Sequence, residues 1–329
     1  MTRIGILSFA HVHAPAYASC LRRLPDVEFA GIADPDVGRG QAAADRFGAP
    51  FFPSYEALLA TGLDGVIITA ENVKHLPLTR LAAEARAHIL CEKPIATSMA
   101  QGHEMVAACR RAGVELMIAF PCRYSPSVLA LKNTIDSGEL GQVYALKTTN
   151  RGRMPGGWFT DKQLAGGGAV IDHTVHVMDL VNWFWRSPVR RVYAEIGEDL
   201  LWHEGCDDAG IISFELQNGI FGTLDASWSR PSVFPIWGDV TMAVVAERGH
   251  LQMNMVAQTV QVYSDRDRSV AWTGWSSDIN LALVRDFVDV ASGKRRSQIT
   301  GEDGLAALEV ALAAYRAAET KRPVDLPFA

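Results

Sequence analysis

The sequence has no basic excess. Its 31 Lys and Arg stand against 37 Asp and Glu, a formal net charge of −6, so no global field exists to hold nucleic acid or an anionic membrane. Lys294, Arg295 and Arg296 make the only basic run of three and read as a solvated loop. Cysteine is scarce too. Cys20, Cys91, Cys109, Cys122 and Cys206 are odd in number and contain no C-x-x-C pair, which argues against a disulfide framework or structural zinc and predicts reduced thiols in a cytoplasmic protein. No apolar run approaches the roughly eighteen residues a membrane span needs, so none is expected. Met1 to Ala10 reads as a first strand and not a signal peptide, because His11, His13 and Pro15 follow at once. Internal repeats and low-complexity linkers are absent as well.

What is present is a chain of 329 residues, 48% hydrophobic and 21% charged, long enough for two folded domains. Over the first 120 residues, short apolar runs alternate with helical stretches. The runs are Ile4–Leu7, Val27–Ala33, Gly65–Thr69, His88–Cys91 and Glu115–Ala119. The stretches are Ala16–Leu24, Gly40–Phe47, Tyr55–Leu59, Leu78–Ala85 and Met99–Arg111. That alternation predicts βαβ units in a doubly wound parallel sheet, which binds ligands outside the carboxyl ends of its strands. Past Phe120 the texture changes. Helices are expected over Ser127–Asp136 and Ala169–Phe184, then strands over Val143–Thr149, Val192–Ile196, Gly210–Leu216, Ile220–Trp228, Val240–Val245, Leu251–Met255 and Thr259–Tyr263. Asn218-Gly219 is a hairpin signal and Glu247-Arg248-Gly249 a second turn. This half reads as an α+β domain with a large, mostly antiparallel open sheet, whose bare face a second subunit would cover. Helices over Asn280–Ala291 and Gly304–Thr320 close the chain.

Two motifs stand out. Cys91-Glu92-Lys93-Pro94 ends a predicted parallel strand and so places Lys93 at the ligand edge; taken alone it would read as a surface lysine. Gly166-Gly167-Gly168 precedes a helix in which Asp172, His176 and Asp179 are spaced to share one face, with Ile171, Val175, Met178 and Leu180 on another. Three glycines let a backbone approach a ligand closely. A flexible hinge ahead of a helix with a solvent-facing polar side is the alternative.

Taken together, Glu92-Lys93-Pro94 and the glycine run with Asp172 and His176 resemble the glucose–fructose oxidoreductase/inositol dehydrogenase (Gfo/Idh/MocA) family. Asn72 with His75, Phe120 with Arg123, Ser137–Gly141 and Gly301–Gly304 extend the likeness along almost the whole chain. The resemblance implies a Rossmann domain over 1–121, and a substrate-binding and oligomerisation domain over 122–329 whose last helix packs back on the first. It implies NAD- or NADP-dependent oxidation or reduction of a secondary hydroxyl on a sugar, sugar acid or cyclitol. His176 would be the general base, or the acid in reduction. Lys93 would stabilise the developing alkoxide, and Asp172 would hold a substrate hydroxyl or orient the other two. Arg123, Trp158 and His173 would complete the substrate site, with Trp158 stacking on a sugar face. Ser8, Phe9, Ala10, His11, His13, Asp34, Ala70, Asn72, His75, Glu92 and Lys93 would line the cofactor. A cis peptide before Pro94 is implied, as is a homodimer or homotetramer built through the second-domain sheet. Two other readings are a glycoside-cleaving relative that oxidises its substrate transiently, and a sugar- or cofactor-sensing protein without turnover.

The pattern breaks at the phosphate loop. Relatives carry G-x-G-x-x-G, whereas Ser8-Phe9-Ala10-His11-Val12-His13 stands here, with His13 at a position where glycine permits tight packing. Retention of Lys93, Asp172 and His176 favours a remodelled loop that still binds cofactor. Asp34 is placed for the ribose hydroxyls, and with Asp36 it would repel a 2′-phosphate, which favours NAD over NADP. His11, His13, His75 and His173 raise a divalent-ion alternative, but contacts to cofactor or substrate are the simpler account, and no metal is expected. Most of Trp158, Trp183, Trp185, Trp202, Trp228, Trp237, Trp272 and Trp275 are expected in the core or at a subunit interface.

Overall fold

The structure is a computed structural model describing residues 1–257, 259–264, 268–274 and 277–327, with side chains at 259–264 and 269–274 outside the description. Trp275 therefore lies outside the described residues, as does the side chain of Trp272. The chain divides into two compact units. Met1–Pro121, Gln163–Gly166 and Ile279–Leu305 form the first; Cys122–Lys162, Gly167–Asp278 and Ala306–Ala329 form the second.

In the first unit the chain runs β1 (Thr2–Leu7), α1 (Ala14–Arg23), β2 (Val27–Ala33), α2 (Val37–Phe47), β3 (Phe51–Phe52), α3 (Tyr55–Leu59), β4 (Gly65–Ile68), α4 (His75–Glu84), β5 (His88–Cys91), α5 (Met99–Ala112) and β6 (Leu116–Ile118). The strands form one parallel sheet in the order β3-β2-β1-β4-β5-β6. Ile4, Ile6, Val66, Ile67, Ile68, Ile89 and Leu90 are fully buried, as strands covered on both faces must be. Each such side chain contributes about 1.5–3 kcal/mol. Sequence pattern misses β3, because two residues carry no periodicity. Helices α2 and α5 start on side-chain caps, Asp36 and Ser98, and end at left-handed glycines, Gly48 and Gly113. The order reverses between β1 and β4, so the carboxyl ends around that switch point gather the loop after β1, Asp34, Ala70, Asn72, Glu92 and Lys93 on one edge.

The second unit holds α6 (Pro126–Asp136), β7 (Val143–Gly152), and, after the one-turn helix α7 (Lys162–Ala165), the long α8 (Ala169–Trp185). Strands β8 (Val189–Glu198), β9 (Asp207–Leu216), β10 (Phe221–Ser227), β11 (Gly238–Ala246) and β12 (Gly249–Asn254) follow. Next come β13 (Thr259–Ser264) and β14 (Ser269–Gly274), then α9 (Ile279–Ala291), α10 (Gly301–Thr320) and β15 (Val324–Asp325). The sheet order is β12-β11-β7-β10-β9-β8-β15, antiparallel except where β10 lies beside β7. Asn218-Gly219 makes the predicted hairpin, with Gly219 at φ +88. Strand β13 stands outside this sheet and pairs with β14 alone. Helix α9 belongs to the first unit and packs on α1 and β1.

Helix α8 packs on β7, β9 and β10, and it differs from the expected two-faced helix. From Ala169 to Val181 every residue is buried except His176. No polar side faces solvent.

Candidate active site

In the first unit, the loop after β1 is tied down by hydrogen bonds to its own atoms and to Ala33, Asp34 and Thr69. Ser8, in the left-handed region at φ +71, donates its N–H to Ala33 O at 2.7 Å and accepts from Thr69 Oγ1 at 2.6 Å. His11 N donates to Thr69 O at 3.0 Å and His13 N to His11 Nδ1 at 3.1 Å. The Phe9 ring lies 5.7 Å from that of Phe47, and its N–H donates to Asp34 Oδ2 at 2.8 Å. Asp34 is fully buried. Its carboxylate also accepts from Asp36 N at 2.9 Å, from Arg39 Nε at 2.7 Å and from Arg39 Nη2 at 2.8 Å. The expected ribose contact of Asp34 would have to be made beside these partners. A two-pronged arginine already covers the oxygens that ribose hydroxyls would use, and a cation stands where repulsion of a 2′-phosphate was expected.

At the end of β5, Glu92 is fully buried and Lys93 is 4% exposed, so Lys93 is no surface lysine. Glu92 Oε1 lies 2.9 Å from His13 Nδ1 and 3.7 Å from His11 Nδ1, and Oε2 accepts from Lys93 N at 3.1 Å. Burial pushes the Glu92 carboxyl up, but His11, His13 and Lys93 together outweigh it and hold the group well below the usual carboxylate range. Among the described residues, His11, His13 and Glu92 are the one group with the make-up of a cation site, their ligand atoms lying within 4.8 Å of one another. His75 is not part of it. Fully buried, it points Nδ1 at Pro94 O (2.9 Å) and Nε2 toward Ala70 O (3.3 Å), and burial lowers its pKa. Its ring lies among carbonyls beside the cis Lys93–Pro94 bond, and in the neutral form it donates to one of them. Ala70 is fully buried; Asn72 donates Nδ2 to Ala165 O at 2.8 Å, while its buried Oδ1 has no partner.

In the second unit, the glycine run has a packing cause. A Cβ on Gly168 would lie 2.0 Å from Asp207 O, and one on Gly167 would lie 2.2 Å from Tyr315 Oη. Those two residues cap α8. Asp207 accepts from Gly168 N and Val170 N, both at 2.8 Å, and Tyr315 Oη accepts from Ile171 N at 3.2 Å while donating to Asp207. The helix N-terminus is thus satisfied by the protein itself, which corrects the reading of these glycines as room for a ligand. Burial raises the pKa of Asp207 against the lowering pull of those hydrogen bonds.

One turn into α8, Asp172 accepts from Trp228 Nε1 at 3.0 Å and faces His173 Nε2 at 3.3 Å. His173 is 3% exposed and donates Nδ1–H to Asn150 O at 2.8 Å. His176 is half-buried, with Nδ1 4.0 Å from Cys122 Sγ. Arg123 is 6% exposed and clamps Asp179 with Nε at 2.9 Å and Nη2 at 2.5 Å, its guanidinium lying 5.2 Å from the Trp183 ring. That buried pair ties the segment before α6 to α8. Trp158 is half-buried, stacked at 4.0 Å on Phe159, whose cluster includes Trp228.

Residues 3–120 match the model of the oxidoreductase family with an NAD-binding Rossmann fold, and residues 128–252 match that of the GFO/IDH/MocA C-terminal domain. The chain belongs to the Gfo/Idh/MocA family. This Gfo/Idh/MocA protein is 24% identical over 335 residues to the myo-inositol 2-dehydrogenase of Thermotoga maritima, covering 98% of each chain. It is 25% identical over 349 residues to the D-glucoside 3-dehydrogenase of Escherichia coli, covering 98% of this chain and 97% of the relative. Its fold is shared with GenD2 from gentamicin A biosynthesis, solved in complex with NAD, at a TM-score of 0.90 and 24% identity over 99% of this chain and 97% of that one.

Within this Gfo/Idh/MocA chain, sequence reasoning missed Arg39, Cys122, Asp207, Trp228 and Tyr315. Trp228 was pooled with seven other tryptophans, although it is fully buried and its indole reaches Asp172. Asp207 and Tyr315 lie 39 and 147 residues from Gly168, so no local spacing signals them.

Proposed function

We infer that this family member is an NAD(P)-dependent dehydrogenase or reductase acting on a secondary hydroxyl of a sugar, sugar acid or cyclitol. The observation that carries the reading is the singular accessibility of His176 on a helix otherwise buried from Ala169 to Val181. Cofactor binding is assigned to residues 1–121, substrate binding and oligomerisation to 122–329. The buried, partnerless Oδ1 of Asn72 fits a ligand donor, and the small Ser8 and Ala10 leave the loop able to take a dinucleotide. Ser8, Phe9, Ala10, His11, His13, Ala70, Asn72, Glu92 and Lys93 would hold it. Bound nicotinamide supplies the hydride acceptor, or the donor in reduction.

His176 takes the hydroxyl proton at Nε2, because Nδ1 lies on the Cys122 side; such a group contributes about 10²–10⁴-fold. The Lys93 ammonium stabilises the developing alkoxide, worth about 2.7–4 kcal/mol of barrier. Asp172, fixed by Trp228 and His173, holds a neighbouring hydroxyl, and Trp158 offers a sugar face its ring. The dehydrogenases of myo-inositol and D-glucosides among the relatives support a polyol substrate.

Subunit pairing through the second-unit sheet is supported by Ile211, Phe221 and Val245, exposed at 53%, 58% and 48% on the face opposite α8. A cytoplasmic location is supported by five buried cysteines, all free. Among the described residues no helix is long and apolar enough to cross a membrane. The test of the activity is NAD(P)H formation across a panel of cyclitols, aldoses, sugar acids and glycosides. Net reduced cofactor with at least one substrate is expected, and Lys93→Ala should lower kcat about 10²–10³-fold. Turnover of glycosides with no net cofactor change would favour the eliminating relative instead, and no turnover of any compound would favour a sensor.

A further inference from the structure

The loop after β1 has almost no backbone donors left to give. Ser8 N is held by Ala33 O, Phe9 N by Asp34, Ala10 N by Ser8 Oγ, His11 N by Thr69 O, His13 N by His11 Nδ1 and Ala14 N by His11 O. Pro15 has no N–H, and Ala16 N and Tyr17 N donate to His13 O. Among the described residues of the loop, Val12 alone keeps its N–H unclaimed. Dinucleotide-binding loops normally cradle the diphosphate on such N–H groups at a helix N-terminus. Here α1 starts at His13 with no side-chain cap, and its first turn has no free row of donors.

We propose that His13 replaces that backbone cradle, and that its imidazole, fixed at Nδ1 by Glu92, donates from Nε2 to the cofactor diphosphate. The inference rests on the cofactor reading above and deepens it. His13 joins a fully buried carboxylate to an accessible edge: Glu92 is 0% exposed and the His13 side chain 31%. A carboxylate only accepts, so at 2.9 Å it fixes a proton on Nδ1. Nε2 then donates only when the ring carries both protons. The groups facing the ring are Glu92, the His11 ring at 4.6 Å and the Tyr17 ring at 6.1 Å, with Lys93 acting on Glu92 from beyond it. Glu92, fully buried, anchors the ring through Nδ1, so Nε2 lies on the ring edge away from that carboxylate.

The test is a fluorescence titration of the full chain with NADH and NADPH at one fixed pH. Wild type, His13→Ala and His13→Gln are compared, with folding checked by circular dichroism. Gln keeps a donor for the buried Glu92 if Ala fails to fold. The variants should bind about 10- to 100-fold more weakly than wild type, as for loss of a charge-assisted hydrogen bond. Adenosine, which lacks the diphosphate, should bind all three alike. Variant Kd values within twofold of wild type would overturn this inference while leaving cofactor binding intact. Wild type binding neither cofactor would overturn the underlying reading. A stoichiometric zinc ion, lost in His13→Ala and required for NADH binding, would make the cluster a metal site and also overturn the proposal.

Discussion

The loop after β1 and the start of α8 are opposite solutions to one problem, the unpaired donors at the head of a helix. The loop has no glycine from Ser8 to His13, and its N–H groups, Val12's excepted, are taken by its own atoms and by Ala33, Asp34 and Thr69, which leaves no row of backbone donors. Helix α8 has kept three glycines, yet its N–H groups are consumed by Asp207 and Tyr315, brought in from far along the chain. Glycine content alone therefore misidentifies both. The glycine-poor stretch lies at the carboxyl edge of the parallel sheet, and the glycine-rich one is a packed joint at the head of the helix that carries Asp172 and His176.

The sharpest way to break that contrast is to add a methyl group at the joint. Gly168→Ala places a carbon against the Asp207 carbonyl and should cost at least the upper part of the about 1–3 kcal/mol typical of overpacking. Urea unfolding measures it, and an unchanged midpoint would refute the packing account. Next is Tyr315→Phe. It leaves Ile171 N without its acceptor and should cost about 1–2 kcal/mol, with kcat falling more than KM rises if the joint positions His176.

A third effect is a pH dependence in the first unit. Burial depresses the His75 pKa, so the folded state binds fewer protons than the unfolded one as pH falls below about 6.5. The stability from His75 is present above that value and lost as pH drops through the folded pKa. His75→Gln should flatten this part of the stability profile; an unchanged slope would mean that another group carries it. Smaller still is a shift in cofactor preference. Arg39→Ala uncovers Asp34 and should reduce affinity for NADPH about tenfold while leaving or improving that for NADH. Equal losses for both would remove Arg39 from the ribose site. Smallest is Ser8→Gly. Relief of the positive φ offsets the added chain entropy, so stability should change by under about 1 kcal/mol.

The first-unit sheet was legible because β1, β2, β4 and β5 are apolar runs, buried or nearly so, bounded by turn residues; β3 was too short to see. The Asn218-Gly219 hairpin was legible because a two-residue turn demands a special backbone. Helix α8 was legible as a helix but not as a buried one, since Asp172, His173 and Asp179 look solvent-facing until Trp228, Asn150 and Arg123 are seen to hold them. The candidate site residues came from the two motifs taken jointly and from the family resemblance they carry. What spacing could not separate was role: His75, His173 and Arg123 share the chemistry of ligand-binding groups, yet their polar atoms are spent on carbonyls and carboxylates of the chain itself.

The most direct test of the central claim is the rate of NAD(P)H formation by His176→Ala, measured on the best polyol found, alongside its Kd for NADH. The account predicts a kcat lower by about 10²–10⁴-fold with cofactor Kd unchanged, because the proton acceptor is lost while the first unit is untouched. A variant that turns over within threefold of wild type would contradict it.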